Sequence, residues 1–222
     1  MLCAQSFFGE QVQARAAKKT LEYYCPECRE AVVLKRGQIK IAHFAHKATA
    51  GCEYGSGETE EHRRAKQFLH DLLLRAPVSY EVSKVMLERG FGTVRPDVSC
   101  KIGGRYVAFE IQRSEMSLEN VQYRSAQYAS KGIKVVWILL NPRKTDRQGR
   151  HAPKVWERWI HNEFGSIFVW ANRGFLVEEY RFSLCEIIVE ETEWGEGYSY
   201  PSKRFVYLES AGLNSLLDLA LR

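Results

Sequence analysis

No stretch of this 222-residue chain approaches the roughly 18 consecutive apolar residues of a membrane-spanning helix. Met1 to Glu10 lack the basic start and long apolar core of an export signal, so a cytoplasmic location is the expectation. The sequence contains no internal repeat and no low-complexity tract. Neither sign of charge dominates: the net charge of +5 permits a nucleic-acid partner but does not demonstrate one. The apolar fraction of 45% and charged fraction of 27% are those of an ordinary soluble protein, long enough for one to two domains. A disulfide framework is also disfavoured. Of the six cysteines, Cys25, Cys28 and Cys52 cluster early, whereas Cys3, Cys100 and Cys185 are scattered. In a chain without an export signal, such a local cluster reads as a metal site.

Residues 1–54 read as a small β module. Val12 and Ala14 alternate with polar neighbours after a Gly9-Glu10 turn. Cys25-Pro-Glu-Cys28 forms a knuckle able to present two thiolates to one tetrahedral ion. Val32 to Leu34 and Ile39 to Ile41 read as strands around Gly37, and His43-Phe-Ala-His46 follows. The spacing assigns a structural Zn²⁺ to Cys25, Cys28, His43 and His46. The two histidines stand closer than in the usual finger, which leaves Cys52 as the alternative to one of them. A module this small lacks the core to fold alone, which favours a bound ion.

Gly51 to Gly57 reads as a linker, and a helix is expected from about Thr59 to Leu74. Its buried stripe would be Ala65, Phe68, Leu69, Leu72 and Leu73. Glu58, His62 and Lys66 lie four apart beside that stripe; taken alone they read as a surface ion-pair ladder. Pro77 ends the region, and Val78 to Val82 reads as a strand carrying Glu81.

Val94 to Gln112 organises the rest. Gly103-Gly104 between two alternating runs signals a hairpin with a two-residue turn. Counting outward from that turn sets Ile102 against Arg105 and Asp97 against Glu110, with Gln112 on the same side as both. Directly opposed carboxylates repel, and a divalent cation between them removes the conflict; hard oxygen ligands favour Mg²⁺ or Mn²⁺. Glu110 is flanked by Phe109 and Ile111 in a largely apolar strand, where an acid needs a reason. A helix then runs from Ser117 to about Ser130, and Ile133 to Leu140 reads as a buried strand.

Between Arg143 and Lys154 lie five basic residues (Arg143, Lys144, Arg147, Arg150, Lys154) against Asp146, a composition suited to a phosphate backbone. Beyond it come a helix with Trp156, Trp159 and Ile160, a strand pair around Asn172-Arg-Gly174, strands at Ile187 to Val189 and Phe205 to Leu208, and a closing helix.

Asp97 followed by Glu110-Ile-Gln112 resembles the PD-(D/E)XK nuclease core, with Gln112 where a lysine usually stands. The wider set resembles the CoiA-like competence protein family over residues 1–140. It comprises Tyr-x-Cys-Pro-x-Cys ending at Cys28, His43 to His46, Gly57-Glu58 with His62 and Lys66, Arg95-Pro-Asp97, Glu110 to Gln112 with Ser114, and Arg124 with Tyr128. The resemblance implies an α/β fold with a mixed central sheet of restriction-endonuclease type behind a zinc-ribbon-like module. The expected divisions are 1–54, 55–142 and 143–222. It also implies a metal-dependent nuclease acting on DNA. Asp97, Glu110 and the Ile111 carbonyl would hold Mg²⁺ or Mn²⁺, and Gln112 would orient water or phosphate. Glu58, His62 and Lys66 would complete the catalytic group, and Arg124, Tyr128 and the basic segment would meet nucleic acid. Two other readings stand beside it: a DNA-binding module of nuclease fold without activity, and a zinc-ribbon adaptor for protein partners.

Overall fold

A computed structural model describes residues 1–47, 51–140, 153–171, 176–181, 186–189, 195–201, 207–211 and 213–222. The chain divides into two compact units. The first comprises Met1–Ile111 with Gln127–Val135, and the second comprises Gln112–Ala126 with Val136–Arg222.

In the first unit, β1 (Cys3–Gln5), β2 (Gln11–Gln13), β3 (Tyr23–Tyr24), β4 (Ala31–Lys35) and β5 (His43–His46) form a sheet of order β2-β1-β3-β4-β5. Gly9, at φ +81, closes the β1–β2 turn, as its position between two short alternating runs predicts. The expected strand at Ile39 to Ile41 is absent. Ile39 is 85% exposed, whereas Phe44, opposite Leu34, is buried, so burial selects the histidine box itself as the strand. The sheet packs Ala4, Ala14, Tyr23, Val32 and Phe44 into a small core.

This module does not stand apart from the following segment. Gln11 Nε2 donates to the Leu87 carbonyl at 2.7 Å, Arg15 pairs with Asp71 at 2.7 Å, and the Ile41 amide donates to Glu60 at 2.9 Å. These contacts supply the stabilisation that its own core is too small to provide.

Helix α1 (Glu60–Leu73) starts where the sequence predicts. Its buried residues are Arg63, Ala65, Lys66, Leu69, His70 and Leu73, while Phe68 and Leu72 of the expected stripe are half-buried. The expected strand at Val78 to Val82 is instead a tight turn at Val78–Tyr80 with Val78 92% exposed. Pro77 fixes the entry to that turn, and Glu81 follows in the left-handed region at φ 49. The strand comes later, as β6 (Ser83–Leu87).

β6 pairs antiparallel with β7 (Val98–Ile102), and β7 with β8 (Arg105–Gln112). Gly103 at φ 53 and Gly104 at φ 80 make the two-residue turn, which sets Ile102 against Arg105 and Val98 against Phe109. That is the predicted register from Ile102–Arg105 to Val98–Phe109; Asp97 immediately precedes β7, and Glu110 follows Phe109 in β8. Next come α2 (Leu118–Ala129), capped by the Ser117 hydroxyl, and β9 (Lys134–Leu140). The order helix, strand, hairpin, helix, strand is the expected one.

In the second unit, β9 runs parallel to β10 (Ile167–Ala171), which follows α3 (Val155–Phe164). β10 pairs antiparallel with β11 (Leu176–Arg181). β12 (Glu186–Val189) and β13 (Tyr198–Pro201) form a separate ribbon. β14 (Tyr207–Ala211) adds antiparallel to β11 ahead of α4 (Leu213–Leu221). The sheet is mixed and the fold α/β, as expected. The Asn172 to Gly174 turn and the basic residues Arg143, Lys144, Arg147 and Arg150 lie outside the described residues. No described helix is long and apolar enough to cross a membrane.

Candidate active site and metal centre

Helix α1 starts because Thr59 is extended, at φ −77 and ψ 159, and its hydroxyl accepts the His62 amide. That start leaves Glu58 just outside the helix and sets His62 and Lys66 one and two turns behind it. Lys66 is 3% exposed. Its ammonium contacts Glu58 Oε1, lies 2.5 Å from Glu88 Oε1, and lies 3.7 Å from Asp97 Oδ1. The three residues expected as a ladder are therefore three of the five members of an ion cluster, completed by Glu88 just after β6 and Asp97 just before β7.

Burial alone would lower the Lys66 pKa, but Glu88, Asp97 and Glu58 outweigh it and raise the value above that of an ordinary lysine. The acids show the converse. Burial pushes each of them up, yet Glu58 is held below its usual value by Lys66 and the Met1 amino group, and Glu88 mainly by Lys66. Asp97 is held down by His62 first and then by Lys66. All three carboxyls are ionised at neutral pH.

Asp97 Oδ2 accepts the Ile111 amide at 2.8 Å and lies 3.1 Å from His62 Nε2. His62 Nδ1 lies 3.7 Å from Glu58 Oε1, so one imidazole bridges the two acids. Glu110 is 2% exposed and accepts the hydroxyl of Tyr128, which is fully buried on α2. Tyr128, expected along a nucleic-acid path, is thus an internal partner of the hairpin acid. The Arg124 guanidinium, also expected on that path, stacks 5.3 Å from the Trp137 ring. Gln112 Nε2 donates to the Ser114 carbonyl at 2.7 Å and lies 3.2 Å from its hydroxyl, which leaves the amide oxygen as the group to act elsewhere.

Glu88 is the residue that sequence reasoning missed. It is buried in the left-handed region at φ 49, a costly conformation for a side-chain-bearing residue, and it gathers long-range donors. The Leu2 amide donates at 2.8 Å, the Cys3 amide at 3.0 Å and the Tyr54 hydroxyl at 3.2 Å. Arg95 stacks 4.8 Å from the Tyr54 ring and donates to the Glu88 carbonyl at 3.2 Å. The only signal in the sequence is an acid closing the apolar run Val85-Met-Leu87, which reads equally well as the edge of a turn.

A second cluster joins Cys25, Cys28, His46 and Cys52, whose ligand atoms all lie within 4.8 Å of one another. A tetrahedral zinc with Zn–S distances of about 2.3 Å needs donors about 3.8 Å apart, so the set fits a structural Zn²⁺. Burial pushes the Cys25 thiol up to about 11, whereas Cys28 is lowered by backbone amides and its sulfur neighbours against the opposing effect of burial. A cation would hold both as thiolates. His43 is not in the cluster: its Nδ1 lies 2.9 Å from the Ile41 carbonyl. It lines a cavity of about 340 Å³ beside His46 and Cys52 without joining them. In strand β5, His43 and His46 are three apart and point to opposite faces, so one ion cannot take both; Cys52 fills the fourth position.

Residues 8–55 match the family model described as competence protein CoiA, N-terminal domain, and residues 58–163 match competence protein CoiA, nuclease-like domain. A curated relative, the competence protein CoiA of Bacillus subtilis (strain 168), is 29% identical over 124 residues, covering 54% of this chain. The match spans about a third of that relative's length, 32%. No solved structure gives a significant match.

The cysteine-rich cluster predicts that Cys52→Ser loses bound zinc, whereas His43→Ala retains about one ion per chain by elemental analysis. Equal zinc loss in both variants would reinstate His43. Replacing Glu88 by Gln should cost about 3–5 kcal/mol in urea unfolding, the scale of removing one partner of a buried ion pair. Because the Glu88 carboxyl is held below its ordinary value of 4.5, its contribution is complete above that pH and disappears as pH falls further. The wild type should therefore lose more stability than Glu88→Gln between neutrality and strong acid, and parallel curves would contradict this.

Proposed function

The chain belongs to the CoiA family of competence proteins, and on that premise we propose that it is a divalent-metal-dependent nuclease acting on DNA phosphodiesters. The observation that carries the reading is the junction of Glu58, just ahead of α1, and of His62 and Lys66 from α1 with Asp97 at the entry to the hairpin in one cluster. Asp97 and Glu110, on adjacent positions of the hairpin, supply hard oxygen donors, with the Ile111 carbonyl beside them. Mg²⁺ or Mn²⁺ held there would polarise the scissile phosphate and acidify a bound water.

The side chains divide the remaining tasks. Lys66 holds Glu58, Glu88 and Asp97 as carboxylates, so it balances the site's charge rather than facing phosphate. His62, 3.1 Å from the Asp97 carboxylate, orients that acid. Tyr128 orients Glu110 by donating to it. Gln112 presents its amide oxygen to the attacking water, since Ser114 takes its amide hydrogens. The relative is named a competence protein, and the proposed cleavage would serve DNA processing in that setting here.

One observation favours a second reading, a nucleic-acid-binding domain without cleavage. The position usually held by a catalytic lysine is Gln112, and the nearby Lys66 is spent on ion pairs. Digestion of circular single-stranded, circular duplex and linear DNA with Mg²⁺ or Mn²⁺ separates the two. Cleavage should require the ion and stop with EDTA. Asp97→Asn and Glu110→Gln should each reduce it on the order of 100-fold or more, the scale of losing a preorganised electrostatic group, in protein that is still folded by circular dichroism. Binding without cleavage under every ion would support the second reading.

A further inference from the structure

Strand β6 carries an irregularity between Ser83 and Met86, and Lys84 sits within it at φ 52. A side-chain-bearing residue adopts that left-handed conformation at a cost of about 1–2 kcal/mol. Such bulges re-aim a side chain out of the regular alternation. Across the sheet, Lys101 pairs with Tyr106, and its ammonium lies 4.8 Å from the phenol ring. Arg89 lies 5.0 Å from the Phe91 ring centre and 5.1 Å from that of Tyr106, and donates to the Tyr106 hydroxyl at 3.0 Å. The rings of Phe91 and Tyr106 meet edge to face at 5.3 Å, which holds the guanidinium in place.

Three cations thus gather around one phenol. Against the opposing effect of burial, the Arg89 hydrogen bond and the charges of Arg89, Lys84 and Lys101 together lower the Tyr106 pKa. Among the described residues, none of the three cations makes an ion pair. Like charges assembled without a counter-ion repel, and an arriving anion relieves that repulsion. The direction of the patch is also set. Tyr106 and Glu110 are four apart in β8, so they share a face and lie roughly 13 Å apart along the strand.

We propose that Lys84, Arg89 and Lys101 form a phosphate-binding surface that guides a nucleic-acid strand along β8 to Glu110. The proposal rests on the nuclease reading and names the path of its substrate. Phosphate is the matching ligand because Arg89, fixed between two rings, presents a planar donor array, while the two lysines supply mobile charges. A strand carrying a phosphate at each nucleotide reaches both the patch and the hairpin acids at once.

The test uses the full chain in EDTA, with fluorescein-labelled single-stranded DNA, the matching duplex and single-stranded RNA followed by anisotropy across a salt series. Lys84→Gln with Lys101→Gln should flatten the slope of log K against log salt by roughly 1.4 on single strands and 1.8 on duplex, from about 0.7 and 0.9 per contact. Lys18→Gln with Lys19→Gln removes the same charge from the N-terminal module and should leave the slope unchanged. Arg89→Lys, which keeps the charge, should retain most of the slope, whereas Arg89→Gln should not. A wild-type chain that binds and cleaves while the Lys84/Lys101 variant keeps its slope would overturn the patch and leave the nuclease reading standing. Equal losses in the Lys18/Lys19 variant would overturn it as a mere net-charge effect. Failure of the wild type to bind any of the three probes would overturn both the patch and the nuclease reading.

Discussion

Burying an ammonium group is tolerated only when carboxylates surround it, and Lys66 has three within reach. Each comes from a different part of the first unit: Glu58 from the start of α1, Glu88 from the end of β6, and Asp97 from the entry to β7. Meeting one cation forces these segments together. Glu88 extends the link to the N-terminal strand through the Leu2 and Cys3 amides. Such an arrangement contributes little net stability relative to apolar packing, yet removing one member costs about 3–5 kcal/mol because the others are left uncompensated. That asymmetry makes the cluster a specifier of geometry, which is what a constellation of acids needs.

The features legible in the sequence were those written in short-range pattern. Thr59 followed by two acids marked the helix start, and Gly103-Gly104 fixed the hairpin register rung by rung. The Cys25-Pro-Glu-Cys28 knuckle marked the sulfur cluster. What stayed hidden depends on contacts distant in sequence. Glu88 acquires its role from partners 22 and 86 residues away, and no local periodicity encodes them. The paired cysteines followed by paired histidines point to His43, with Cys52 as the alternative, but the box is a strand, whose alternation turns its two histidines apart. Val78 to Val82 has strand-forming residues, yet Pro77 and an exposed Val78 make a turn of it.

The two clusters use different chemistry within one unit. Three sulfurs and an imidazole suit a soft, tetrahedral ion, whereas Asp97 and Glu110 offer only carboxylate oxygens, suited to Mg²⁺ or Mn²⁺. Donor type would keep ions at the two clusters separate without any difference in overall affinity being needed. The contacts of Arg15 with Asp71 and of Ile41 with Glu60 join the sulfur-bearing sheet to α1, the helix that supplies Lys66 to the acid cluster.

The central claim is that Asp97 and Glu110 belong to one oxygen-donor site assembled by the Lys66 cluster. Anomalous diffraction from crystals soaked in Mn²⁺ tests it most directly. The account predicts one manganese peak within about 2.0–2.6 Å of both carboxylates, distinct from any zinc peak at Cys25, Cys28, His46 and Cys52. Manganese bound only at the sulfur cluster, or absent while Lys66 keeps all three carboxylates, would contradict it.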